Sequence, residues 1–152
     1  MHFDDRDYSQ DYLTFKILSP GTITYNTYNS NTYGQYSLDN GETWSQQGNN
    51  ITVNVVTGNI VLWKGSGTTT FGSVCNFRGT ASFEIYGNIL SILYDDDFIN
   101  ITDVDVQGKL VGDMFRNTKC ISAKNLVLPA NFVGSGMFSN MFNGCTLLTT
   151  PP

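Results

Sequence analysis

The side chains able to do chemistry are few in this 152-residue chain. The single histidine, His2, stands at the N-terminus, so no Ser-His-Asp or Cys-His arrangement can be assembled inside the fold. Glycoside hydrolysis needs two carboxylates at a set separation, but Glu42 falls in a turn and Glu84 at an outward strand position, as solvated groups do. Three arginines, Arg6, Arg78 and Arg116, could each grip a carboxylate through a bidentate fork. Asp95-Asp96-Asp97 and Asp103-Val104-Asp105 place hard oxygen ligands close together, the type that Ca²⁺ takes. The densest pattern is SLDNGETW at residues 37–44, where Ser37, Asp39, Gly41 and Trp44 could present ligand-binding groups or build a tight reversal.

Residues 37–44 resemble the Asp-box pattern S-x-D-x-G-x-x-W of sialidases and related propeller enzymes. Propellers repeat the box once per blade and six blades need about twice this length; the chain has one copy. The stretch is therefore expected to be a hairpin turn. Asn40-Gly41 makes the reversal at positive φ, Asp39 satisfies backbone N–H groups across it, and Trp44 holds the second strand in the β-core. Residues 103–108 resemble the first half of an EF-hand loop, but its twelfth position is Met114 rather than a bidentate glutamate, so no metal is expected. Gly65-Ser66-Gly67 lacks the Lys-Ser/Thr of a phosphate cradle. No cofactor is expected.

Composition narrows the partners. A formal charge of −5 and eight scattered basic residues leave no clustered cationic surface, so nucleic acid is not an expected partner. No apolar run approaches the roughly 18–20 residues that span a bilayer, and no membrane insertion is expected. The acidic start MHFDDRDYSQDY lacks the basic and apolar regions of a secretory signal, so export by a signal of its own is not expected. Three cysteines (Cys75, Cys120 and Cys145) without a CxxC pair read as buried free thiols. Tyr28, Tyr33 and Tyr36, with Tyr25 and Trp44, could stack on sugar faces and are the candidate glycan contacts, although the favoured reading puts Trp44 and Trp63 in the core with the tyrosines covering strand faces.

The elements that must position these groups are short strands. Residues 1–11, with Asp4, Asp5, Arg6, Asp7, Tyr8 and Asp11, read as an extended N-terminal attachment arm that orders only against a partner. YLTFKIL at 12–18 alternates with Leu13, Phe15 and Ile17 on one face; Ser19-Pro20-Gly21 breaks it, and TITY resumes, a hairpin by pattern. ITVNVV, IVLWK, CNFRG and ASFEIY add further strands, so about seven precede residue 87 and predict a small β-sandwich or barrel over 12–97. GNILSILYDDDF then predicts one helical turn burying Ile89, Leu90, Ile92 and Leu93, capped by Asn88 and ended by the aspartates.

Residues 98–152 repeat themselves. MFRNTKCISA at 114–123 aligns with MFNGCTLLTT at 141–150 at an offset of 27, a period within the leucine-rich-repeat range. Leu126, Val127 and Leu128 supply a strand between the copies, and the Met-Phe pairs, Met137-Phe138 included, read as repeat core. MFxGCxxLTxxP with an intervening NLxLPA resembles the leucine-rich-repeat surface proteins of Bacteroides-type and treponemal bacteria, and YLTFKIL, YSLDNGETW, IVLWKG and FEIYGNILSILYDDDF resemble the β-domain that precedes those repeats. In gut Bacteroides and their crAss-like phages that pairing occurs in adhesin-like proteins and in virion decoration or fibre proteins.

The resemblance implies a mainly β chain, a small β-sandwich or barrel followed by the start of a leucine-rich-repeat-like solenoid that continues beyond, or stacks on a partner. It implies a non-enzymatic virion structural protein, head fibre, decoration or tail-associated. Its partners would be other virion proteins and itself, as a homotrimer by analogy with phage fibres. The alternative is a bacterial cell-surface adhesin binding host protein or glycan.

Overall fold

The computed structural model describes residues 6–27, 33–65, 75–101, 114–128 and 141–152. Among the described residues seven strands precede the helical turn: β1 (Leu13–Ile17), β2 (Gly21–Thr27), β3 (Gly34–Ser37), β4 (Asn50–Val55), β5 (Ile60–Gly65), β6 (Cys75–Gly79) and β7 (Ser82–Asn88). After α1 (Ser91–Tyr94) comes β8 (Lys119–Val127). They form a five-stranded sheet, β3-β5-β1-β7-β8, and a three-stranded sheet, β4-β2-β6. The smaller sheet is antiparallel throughout; the larger is mixed, because β8 runs parallel to β7. The chain is mainly β, and its two sheets do not close into a barrel.

The two sheets pack face to face. Phe15 on β1 lies 4.8 Å from Phe77 on β6, and Trp63 on β5 lies 4.9 Å from Phe77. Phe83 stacks on Phe15 at 4.6 Å and 8°. All four rings are essentially inaccessible, and burial of each such side chain is worth about 1.5–3 kcal/mol. The alternation of β1 is as expected: Leu13, Phe15 and Ile17 are buried and Lys16 is exposed.

The expected hairpin between residues 12–18 and 22–25 does not form. β1 pairs with β5 and β7, while β2 lies in the other sheet between β4 and β6. Strand β1 presents three large apolar groups and is fully buried only as a central strand, so both its ladders go to non-neighbours. Residues 18–20 turn the chain out of the plane instead, with Leu18 N–H donating to the Ser82 carbonyl at 2.9 Å and Ser19 Oγ at 2.6 Å from Ser82 Oγ. The β4–β5 and β6–β7 connections cross between layers in the same way. Gly79, at φ 146°, sits where the β6–β7 crossing presses on the β1–β2 crossing: a Cβ there would run into the Thr22 carbonyl.

The helical turn forms where expected, with Asn88 Oδ1 accepting the Leu90 N–H at 2.9 Å and Ile89, Leu90, Ile92 and Leu93 buried. The aspartates do not end the helical path: Asp95 at φ 53° breaks α1, and Asp95–Asn100 continue as a 3-10 helix. Ser91 fastens it to the large sheet, donating to the Trp63 carbonyl at 2.8 Å and accepting from Leu13 N–H at 2.9 Å.

The two repeat copies lie on one another. Phe142 stacks on Phe115 at 5.4 Å and 15°. Phe115 N–H donates to the Met141 carbonyl, Asn117 N–H to Asn143 and Ala123 N–H to Thr150, at 3.1, 2.9 and 2.7 Å. Thr118 Oγ1 lies 3.5 Å from Cys145 Sγ, the pairing that the 27-residue offset requires. Two stacked turns are what the described residues contain, and a solenoid is not shown. The first turn joins the sheets: Phe77 N–H donates to Met114 O at 2.7 Å, and Phe115 contacts both Phe15 and Phe77. β8 begins at Lys119, earlier than Leu126, and carries the repeat into the five-stranded sheet.

Candidate functional site

The outer face of the five-stranded sheet gathers a few of the residues singled out above. At one end is the turn at 37–44. Asn40 and Gly41 both have positive φ, 62° and 87°, as an Asn-Gly reversal demands. Ser37 Oγ accepts from Gly41 N–H at 2.9 Å, and Asp39 Oδ1 accepts from Thr43 N–H at 2.9 Å. The Thr43 hydroxyl first, then that Thr43 N–H and the Ser37 hydroxyl, hold the Asp39 carboxyl down to about 2. The return limb is not a regular strand, although Ser45 N–H donates to the Tyr36 carbonyl at 2.8 Å.

Trp44 does not enter the β-core. It is half-buried on the outer face, with Tyr12 against its ring at 5.0 Å and Lys64 Nζ 4.4 Å above it. Lys64 is 8% exposed and reaches Asp96 Oδ1 and Oδ2 at 3.1 and 3.2 Å and Asp95 at 3.4 Å. Tyr12 Oη donates to Asp96 at 2.6 Å. That bond, followed by Lys64, lowers the Asp96 carboxyl below the usual range, while burial first and Asp96 second push the Tyr12 phenol up. Thus Asp95 and Asp96 serve the cation on β5 while Asp97 accepts from the Asn100 amide at 2.9 Å, and among the described residues no group of three His, Cys, Asp or Glu is placed to hold a metal. Asp103 and Asp105 lie outside the described residues, as do His2 and Ser66-Gly67. Lys64 escaped notice in the sequence because IVLWK reads as a continuous apolar strand. The signal was there: a charge in such a strand needs a partner.

The N-terminal segment is not extended where it is described. Tyr8–Gln10 form a 3-10 turn whose start Asp7 caps, accepting from Ser9 N–H at 3.0 Å. The Asp7 carboxyl is lowered by the Ser9 hydroxyl and then by that N–H. Arg6 pairs with Asp11 at 2.6 Å and covers the rings of Tyr8 and Tyr86. Asn88 donates to Ser9 O at 3.0 Å and Asn125 to Tyr8 Oη at 3.4 Å. Residues 6–11 thus order against β7 and β8 of their own chain, because local caps and an internal ion pair satisfy their polar groups. Asp4 and Asp5 lie outside the described residues.

Between this segment and the turn lies an open cleft of about 210 Å³, lined by Arg6, Gln10, Asp11, Tyr12, Asn40 and Tyr86 among others. The expected glycan contacts are not its walls. Tyr36 leans on Trp63 at 5.8 Å, Tyr33 is half-buried, Tyr25 is buried in the core, and Tyr28 is outside the described residues. The three arginines do not converge: Arg6 is on this face, Arg78 is exposed on β6 of the opposite sheet and Arg116 is in the first repeat turn. Glu84 is half-buried on the outward side of β7, and Glu42 is exposed in its turn.

Cys75 and Cys120 are buried, and burial raises both thiols to about 12. Cys145 is half-buried and donates to the Phe115 carbonyl at 2.9 Å. No helix among the described residues is long and apolar enough to cross a membrane. No protein-family model, no curated protein and no solved structure matches the chain.

Proposed function

We propose that the chain is a non-enzymatic virion structural protein, a head-fibre, decoration or tail-associated component of the kind its sequence resembles. Its β-sandwich opens a leucine-rich-repeat-like solenoid, and the repeats serve surface adhesion. The observation that supports this is the in-register stacking of the second repeat turn on the first. A unit that buries its Met-Phe face only on its neighbour extends copy by copy and builds a display surface rather than a catalytic centre. The N-terminal segment, Asp4, Asp5, Arg6, Asp7, Tyr8 and Asp11, is the proposed attachment to other virion proteins, with the Asp4 and Asp5 carboxylates meeting basic groups on a capsid or tail subunit. The protomers assemble as a homotrimer.

The decisive measurement is location. Stoichiometric recovery in purified particles, by mass spectrometry and immunogold labelling, is expected. Recovery only on the outer surface of bacterial cells replaces the virion reading with the cell-surface adhesin, and release of reducing sugar from mucin-type glycans by the purified chain overturns both. Because residues 6–11 pack on β7 and β8, attachment is tested by Asp4→Asn with Asp5→Asn rather than by truncation. Loss of incorporation is expected, and normal incorporation refutes that role.

A further inference from the structure

A second cleft, of about 250 Å³, lies beside the first on the same face, between β7 and β8. Glu84, Lys124, Asn125, Thr149 and Thr150 contribute to its lining, and Tyr86 is a wall of both clefts. The ladder explains why space opens there. The β7–β8 register slips on either side of Glu84, so β8 places extra residues opposite a short stretch of β7 and bends. The segment carrying Thr149 and Thr150 runs along the far side, held by Thr149 N–H donating to Ile121 O at 2.8 Å. Neither cleft alone reaches the roughly 300–1,000 Å³ of a typical small-molecule site, and the two together do.

We propose that the two clefts form one groove across the strands of the sheet and bind a neutral oligosaccharide of at least two sugar units. Charge excludes the acidic alternatives. The first cleft holds one cation and one anion, Arg6 and Asp11, already paired at 2.6 Å; the second holds Lys124 and Glu84. Balanced cationic and anionic groups offer no excess positive field for a phosphate, sulfate or sialic carboxylate. The rest of the polar lining is amide and hydroxyl: Gln10, Asn40 and Thr14 in one cleft, Asn125, Thr149 and Thr150 in the other. Sugar hydroxyls both donate and accept, and such groups answer both functions. A peptide that adds a strand would need an open sheet edge; β8 is the edge strand, but beside the second cleft its free side at residues 121–123 is already bonded to the Thr149–Thr150 segment. The proposal deepens the adhesion part of the reading above and rests on it for its biological role, but it fails separately.

The test uses the purified full chain on a printed array of neutral, sialylated and sulfated oligosaccharides, followed by calorimetry with the strongest neutral tetrasaccharide. Binding to neutral glycans that persists at high salt is expected. Gln10→Ala in the first cleft and Glu84→Ala in the second should each weaken it about tenfold, while Arg78→Ala on the opposite sheet leaves it unchanged. Melting curves confirm that each variant is folded. No binding to neutral glycans at about 1 mM, binding confined to acidic glycans and lost in salt, or full affinity in both folded groove variants overturns the proposal. Particle association is read independently. A chain that binds neutral glycans yet never co-sediments with particles keeps the groove and removes the virion reading; a particle protein without glycan binding does the reverse.

Discussion

Phe115→Ala tests whether the repeat and the paired sheets are one cooperative body. Phe115 comes from the repeat segment, yet it is fully buried against Phe77 at 5.7 Å, Phe142 at 5.4 Å and Phe15 at 5.9 Å. Truncating a buried phenylalanine costs about 3–5 kcal/mol through lost transfer energy and the cavity left behind. Three ring contacts, each worth about 0.5–1.5 kcal/mol beyond area, place this site in the upper half of that range, near 4–5 kcal/mol. Against a total stability of roughly 5–15 kcal/mol, a drop in melting temperature of about 10–15 °C is expected. The assay is urea unfolding followed by Trp63 fluorescence in a Trp44→Phe background, so that the reporter sits in the sheets and the perturbation in the repeat. One shifted transition is the expected result. If the Trp63 transition stays within about 0.5 kcal/mol of its parent, the repeat is an independent unit and the shared core is wrong. Phe142→Ala, at a half-buried position, should move the same transition by less, about 1–2 kcal/mol.

Three further outcomes are expected. Asp39, held near 2 by the turn, is depressed in the folded state, so its contribution is present above the ordinary carboxylate value near 4 and is lost as pH falls through about 2. Asp39→Asn should remove that part of the acid dependence, and a carboxyl resonance of Asp39 titrating near 4 would contradict the bonds described. Lys64→Met should raise the Asp96 carboxyl, seen by carbon NMR, and red-shift Trp44 emission, with a stability loss of about 1 kcal/mol because the aspartates are partly exposed; an unmoved Asp96 titration is the adverse result. In alkylation at pH 8 read by mass spectrometry, Cys145 should be modified first while Cys75 and Cys120 resist until unfolding. Rapid native labelling of Cys75 would show that the sheets open.

Much of the local structure was legible because it depends on neighbours in sequence. The inward set Leu13, Phe15 and Ile17, the positive φ at Asn40-Gly41, the Asn88-capped turn and the 27-residue offset that puts Phe142 on Phe115 all follow from period, turn chemistry or self-similarity. The candidate site was legible only in pieces. Asp39 appeared as a turn aspartate, but of the tyrosines considered for a glycan Tyr25 is buried in the core and Tyr36 leans on Trp63, and Lys64 was hidden in an apolar run.

What residue order alone determined, then, was the set of short strands, their inward faces, the reversals and the stacking period, since each is settled within a few residues or by direct repetition. Tertiary structure decided which sheet each strand joins. The same Ser19-Pro20-Gly21 break serves a hairpin or a crossing between layers, and the need to bury both flanks of β1 selects the crossing. It also decided what lies on the outer face. The grouping of Tyr12, Trp44, Lys64 and Asp96, and the bulge that opens a cleft beside Tyr86, arise from partners 20 to 84 residues apart, a separation over which no local pattern carries information.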